Sequence, residues 1–506
     1  MNKKDLYKSI GGVGDDLLER SERKHHRSPK GWLIAAAAVL ALTVTVSAVH
    51  FWPRQEDDPQ KLEASSQEGT SQSPIHLEGS SEAVDTPFTE TTEEEKLPAQ
   101  AGPITLAAYP ETFPHPYTLS MTEDREKVSE AWDNWEAEKA ARTFEAGYAD
   151  SAVPFFLEST RVFLSGSGTE NRVYSPMSLY MSLAMLTEVT GGTTRQEILN
   201  VLGSPDTESL QPQAQKVWKA HYRDDGILLS RLANSFWLNE GVPYKKEPLE
   251  ALADRYYASS FTCPMGTGEA DQAMAQWIGQ QTEGFLEEGR PAIETNDSTA
   301  LVLLNTLTFE ARWEMEFDPS STAPGVFHGP EGDITCDFME GSFMVPCYEA
   351  ERYYLFGLPL TEDGGTVWFF APKDDMTPDE FLAEGLTIPQ SQESRIIHLK
   401  MPKFDVQSHL DLRDGLQAMG IREAFGGGDF SPLCDADISL NTAAQDVRVQ
   451  ADEEGIRGAA LTELMMEAGA PDSDDPVEIV LDRPFFFMTL SADQLPLFAG
   501  VVNRPA

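Results

Sequence analysis

The chain reads as an α+β protein, on three observations. Helical periodicity dominates between residues 147 and 286. Strand-like runs dominate from 299 onward. The chain then closes on three dense apolar segments, 477–481, 485–490 and 495–502. Helices gathered early and strands gathered late argue against a regular strand–helix alternation. The 506 residues leave room for one large domain with appendages, or for two domains.

The elements follow in order. Phe155, Phe156, Val162 and Phe163 recur at helical spacing. Ser175 before Pro176 is a helix start, a capping hydroxyl followed by a residue without the orphan donor. The helix it opens, 179–189, is apolar nearly all round and should be central and buried. Gly191 and Gly192 stop it, and Thr193 to Glu197 offer a capping box for a short helix ending at Gly203. Residues 227–238 read as a strand, 247–257 and 270–286 as helices. The strand 299–309 carries apolar residues on both faces, as a central strand does. Further strands are expected at 366–370, 396–399 and 404–406, with a helix at 410–419 closed by Gly420.

Ahead of the domain the composition changes. Residues 1–30 are polar, with Arg20, Arg23, Lys24, Arg27 and Lys30 leading into the apolar run 32–52. That run has no formally charged side chain apart from the titratable His50 and is long enough to span a bilayer. Trp32, Phe51 and Trp52 sit near its ends, and the basic cluster precedes it. The expectation is a cytoplasmic segment 1–30, a signal anchor 31–53 and a single-pass protein with its C-terminal domain outside the cell membrane. The alternative is a cleaved signal with Val46, Ser47 and Ala48 as the small-residue site, leaving a secreted protein. Residues 54–103 are acidic and rich in Ser, Thr, Gln and Pro, the composition of an extended tether. Residues 104–146 form an extension, Pro- and aromatic-containing at 109–117 and helical over 122–145 with Trp132 and Trp135. The folded domain is placed at 147–506.

A formal charge of −45 argues against nucleic acid as a partner. No basic stripe suited to heparin is visible. Cys263, Cys336, Cys347 and Cys434 have no zinc spacing and read as buried free thiols, with one disulfide left open. No metal or cofactor is expected, and the chain reads as a monomer. There is no H-E-x-x-H and no G-x-S-x-G, and the one S-x-x-K spacing, Ser21 to Lys24, lies in the N-terminal segment. No hydrolase site is read, and the chain is not expected to be an enzyme.

The stretch 447–471 stands out. Val447, Val449 and Ala451 alternate with Arg448, Gln450 and Asp452 as in a half-buried strand. The pattern breaks at Glu453, Glu454 and Gly455 into small residues. At period two, Ile456, Gly458, Ala460, Thr462, Leu464, Met466 and Ala468 share one face. Arg457, Ala459, Leu461, Glu463, Met465 and Glu467 share the other, which holds every charge between Gly455 and Asp472. This loop could become a strand with one buried face. Leu461, Leu464, Met465 and Ala468 fit a helix as well, and spacing alone leaves both open.

This segment resembles the hinge and reactive-centre loop of a serpin, a serine-protease-inhibitor family. Asn171-Arg172-Val173-Tyr174-Ser175-Pro176-Met177-Ser178 resembles the family's start of a buried helix, and Asn305 to Trp313 its central strand. Leu481 to Phe487 and Pro496 to Asn503 resemble its C-terminal strands. The resemblance implies three β-sheets, about nine helices and an exposed reactive-centre loop. It implies a hinge at Glu453, Glu454, Gly455, Ile456, Arg457, Gly458, Ala459 and Ala460. It implies a scissile bond among Met465, Met466, Glu467, Ala468, Gly469 and Ala470. It also implies a polar cluster of Ser175, Ser178 and Asn305 where the central strands part, with Gln445 where the family often has histidine, and Trp313 near the loop's point of entry. The expected partner is an extracellular serine protease. The scissile window has no Arg or Lys, which favours an elastase-like or subtilisin-like enzyme over a trypsin-like one; a cysteine protease is a further candidate. Ile456 stands where the family has a small hydroxyl residue. The alternative is a non-inhibitory serpin, a surface binding or structural protein whose loop is merely cut.

Overall fold

The computed structural model describes residues 102–119, 125–286, 293–386, 393–440, 443–457 and 476–505. They belong to a compact unit running Thr91–Ala506. The expected cytoplasmic segment, the anchor 31–53 and residues 54–101 of the tether 54–103 lie outside the described residues; Gly102 and Pro103, expected to end the tether, instead begin a strand because they pair with Thr262 and Phe261. Among the described residues no helix is long and apolar enough to cross a membrane.

The first half contains β1 (Gly102–Thr105), α1 (Arg125–Arg142), α2 (Val153–Leu164), β2 (Arg172–Tyr174), α3 (Pro176–Val189), α4 (Gly192–Val201), α5 (Thr207–Ala220), β3 (Arg223–Asp224), β4 (Leu229–Asn239), α6 (Lys246–Tyr256), β5 (Ala258–Cys263) and α7 (Gly268–Gln281). The second half contains β6 (Leu301–Arg312), β7 (Ala323–Gly329), β8 (Gly332–Glu349), β9 (Tyr353–Leu360), β10 (Gly365–Pro372), α8 (Pro378–Glu384), β11 (Ser394–Pro402), β12 (Phe404–Asp411), α9 (Arg413–Met419), β13 (Ala444–Ala451), β14 (Gly455–Arg457), β15 (Val477–Val480), β16 (Phe485–Leu490) and β17 (Pro496–Val502). This is the α+β order expected, with helices first and strands last.

The first sheet runs β1-β5-β4-β6-β14-β13-β12, with β3 paired to β4. The second runs β15-β11-β8-β9-β10-β16-β17-β2, with β7 paired to β8. The second is two sheets in one. The long β8 pairs with β7 and β11 along most of its length, and its last residues, Cys347 to Glu349, pair with β9.

Ser175 caps α3 as expected, its hydroxyl accepting from the Ser178 amide at 3.3 Å. α3 is buried from Met177 to Val189 with few breaks and forms the centre of the main core, beneath the first sheet and against β17. A smaller core lies between α7 and the other face of β4 and β5, around Trp237, Phe261 and Trp277.

Local readings need correction in three places. The capping box at Thr193 is not made. The helix starts at Gly192 with Gly191 as its cap, and Thr194 instead accepts from the Asp429 amide at 2.9 Å. Leu410 belongs to strand β12, because pairing with Gln445 wins over local helical periodicity, and α9 begins only at Arg413. Strands β7, β8 and β9 were absent from the sequence reading. Pro324, Gly325, Gly341 and Pro346 interrupt their alternation, and tertiary pairing decides the state. The four cysteines are free thiols.

Candidate functional site

The segment expected to be the hinge is a turn that leads into a short strand. β13 ends at Ala451, and the Asp452 carboxylate accepts from the amides of Glu454 at 3.0 Å and Gly455 at 3.3 Å. This side-chain turn redirects the chain between β6 and β13. β14 then pairs on both sides: Gly455 opposite Arg312 and Ile456 opposite Ala311, with Gln450 opposite Arg457 and Ala451 opposite Ile456. Ile456 is 2% exposed, so it lies on the buried face its sequence register assigns. A Cβ on Gly455 would stand 2.2 Å from the Ala311 carbonyl oxygen, so only glycine fits there.

Side chains pin this corner. Trp313 is buried, its indole N–H donates to the Asp452 carbonyl at 2.9 Å, and its amide donates to the Glu454 carbonyl at 3.0 Å. The Glu453 carboxylate accepts from the Thr322 hydroxyl at 2.8 Å and from Lys403 at 2.6 Å. Burial pushes the Glu453 carboxyl up, but the bonds from Lys403 and Thr322 outweigh it and hold it below the ordinary carboxylate value. Lys403 and Thr322 were not singled out from the sequence, and nothing local marks them. Gly458, Ala459, Ala460 and the scissile candidates Met465 to Ala470 lie outside the described residues.

Below the hinge the sheet is split. β6 pairs with β4 along Leu301–Glu310, and on its other side it pairs with β14 only at Ala311 and Arg312. β13 pairs with β12 along its whole length, and on its other side with β14 only at Gln450 and Ala451. Between them lies a narrow slot of about 30 Å³, lined by Asn305, Leu307 and Phe309 from one strand and Gln445, Val447 and Val449 from the other. It has room for about one or two waters and none for a strand. A strand could enter only if β6 and β13 moved apart.

Ser175, Ser178, Asn305 and Gln445 all line this slot. Gln445 bonds both ways to Ser175: its side-chain oxygen accepts from the Ser175 amide at 2.8 Å, and its NH₂ donates to the Ser175 carbonyl at 3.0 Å. The Ser175 hydroxyl also bonds Ser178 and donates to the Leu497 carbonyl at 2.7 Å. Asn305 shares the slot but bonds sideways. Its NH₂ donates to the Asn234 side chain on β4, so it ties β6 to the neighbour on its own side of the slot. Asn234, buried in β4, was missed because its partner is distant in sequence. The chain after α7 crosses the opening, where the Phe285 carbonyl accepts from Arg448 at 3.2 Å and its ring lies under that guanidinium.

At the top of the slot β14 bridges β6 and β13, and below it the two strands face each other without a strand between them. The described residues contain no cluster able to hold a metal ion.

Comparisons agree with this geometry. The sequence model described as "Serpin (serine protease inhibitor)" matches residues 154–505. The uncharacterized serpin-like protein of Methanosarcina acetivorans is 25% identical over 375 residues, covering 72% of this chain and 88% of that protein. Among solved structures, the native state of the thermophilic serpin tengpin matches with a TM-score of 0.64 at 21% identity, covering 72% of this chain and 95% of that one. Thyroxine-binding globulin in complex with thyroxine matches with a TM-score of 0.62 at 21% identity, covering 71% and 99%. From residue 154 to residue 505 the sequence and the split sheet lead to one conclusion: the chain belongs to the serpin family.

Proposed function

We propose that this serpin is a suicide substrate that traps an extracellular elastase-like or subtilisin-like serine protease, acting from a membrane anchor at 31–53. The observation that carries the reading is the first sheet, seated with three hinge residues and split below them. The protease's nucleophilic oxygen attacks a loop carbonyl carbon between Met465 and Ala470. The amine on the C-terminal side leaves, and an ester joins the protease to the new loop end. The freed loop then enters between β6 and β13 as a strand, with small Gly458 and Ala460 following Ile456 on the inward face. Strand addition supplies main-chain hydrogen bonds along both open edges. No group of the inhibitor performs chemistry; it supplies the bond and the spring.

The test is incubation of the full chain with elastase-like and subtilisin-like enzymes, followed by denaturing electrophoresis. The proposal expects a covalent, SDS-stable complex, and N-terminal sequencing of the released fragment should place the cut within 465–470. A loop cut to fragments without a stable complex would support the second reading, a non-inhibitory surface serpin.

A further inference from the structure

The family match begins at residue 154, yet residues 102–119 and 125–148 are docked on the domain through specific bonds. β1 adds an antiparallel strand to the free edge of β5, Gly102 opposite Thr262 and Thr105 opposite Ser260. The Tyr109 ring lies near-parallel to Trp218 and Tyr222, beside the stack those two make with each other. His115 is fully buried, and its amide donates to the Asp225 carbonyl at 2.7 Å. The Asp225 carboxylate accepts four bonds. Three come from within the domain: the Ile227 and Leu228 amides and the Arg223 guanidinium. The fourth, at 3.3 Å, comes from the Trp135 indole of α1. A carboxylate buried beside β3 therefore has its full set of donors only with the extension in place.

The same segment reaches the second sheet. Lys139 pairs with Asp363 at 2.5 Å, and His115 Nε2 lies 3.5 Å from the Glu362 carboxylate, both in the β9–β10 turn. The Tyr148 hydroxyl donates to Asp493, in the β16–β17 turn, at 3.1 Å. Admitting a strand moves β1, β5, β4 and β6 away from β13 by about one strand spacing, roughly 4.8 Å. Ties from β5 and Asp225 on one side to turns of the second sheet on the other add to the domain's own bonds to the β9–β10 turn, from Arg223 to the Glu362 carbonyl at 2.6 Å and from the Thr361 amide to the Arg312 carbonyl at 3.0 Å, and together these oppose that motion. We propose that residues 102–119 and 125–148 form a clasp that helps hold the β1–β5–β4–β6 half of the first sheet to the second sheet and sets the rate at which a strand enters between β6 and β13. The proposal rests on the slot reading given under Proposed function.

The experiment uses the full chain and a fluorescent synthetic peptide with the sequence of residues 458–468, with uptake followed on native gels over time. Trp135→Phe keeps the packing and removes one donor from Asp225; Lys139→Ala removes an exposed tie and leaves the core alone. Uptake should be about tenfold faster in Trp135→Phe and about twofold faster in Lys139→Ala. Should Trp135→Phe fail to fold, Lys139→Ala still reads the clasp. Uptake by the unsubstituted chain with no acceleration in the folded variants overturns the clasp and leaves the slot reading standing. A chain that takes up no peptide in any form overturns the slot reading and the clasp with it.

Discussion

At the scale of single residues, the hinge turns on two positions with opposite needs. Gly455 must lack a side chain because the Ala311 carbonyl occupies the space, and Ile456 must be apolar because it is buried between two strands. Gly455→Val should therefore destabilise the native form by about 1–3 kcal/mol, seen as a lower urea midpoint with the slope unchanged. His115 gives a pH prediction. Burial lowers its pKa from the ordinary 6.5; Asp225 and Glu362 push it back up, while Arg223 and Lys139 lower it further. A histidine held neutral in the folded state contributes stability that is present above pH 6.5 and lost as the pH falls through its folded value. Thermal stability should drop between pH 7 and pH 5, and His115→Asn should flatten that part of the profile. An unchanged profile in the variant would remove His115 from the account.

At the scale of elements, the strand with one buried face was legible because period two survives any rearrangement. Val447, Val449, Ala451 and Ile456 all fall where alternation places them. The buried helix was legible from its all-round apolarity. The capping box was misread because glycine can cap without a side chain, and Thr194 found a tertiary partner. The Asn305–Asn234 bond and the Lys403–Glu453 pair were not legible, since nothing local announces partners that lie 71 and 50 positions away. The extension's helix was readable from its tryptophans, but its docking on Asp225 was not. Gln445 is the element-scale test. Gln445→Ala strands both backbone groups of Ser175 near the slot, which should lower stability by about 1–2 kcal/mol and speed peptide uptake. Ala460→Arg, on the inward face, should leave loop cleavage intact and abolish trapping, since a charge would have to be buried without a partner. A stable complex with the arginine variant would show that the face is misassigned.

At the scale of the whole molecule, the first sheet has its hinge seated at the top and two open ladder edges below. The chain on either side of the loop is held at Arg457 in β14 and at Val477 in β15, so the intact loop cannot extend down the slot while β15 stays paired to β11. The cut removes that restraint. If the cut loop inserts, the native form is the less stable of two accessible folds, and the measurement that tests this most directly is calorimetry before and after a single cut within 465–470. The cut chain should melt about 10 °C or more above the intact one, because each kcal/mol of added strand pairing raises the midpoint by about 2 °C in a domain of this size. A cut chain that melts at or below the temperature of the intact one would contradict the account.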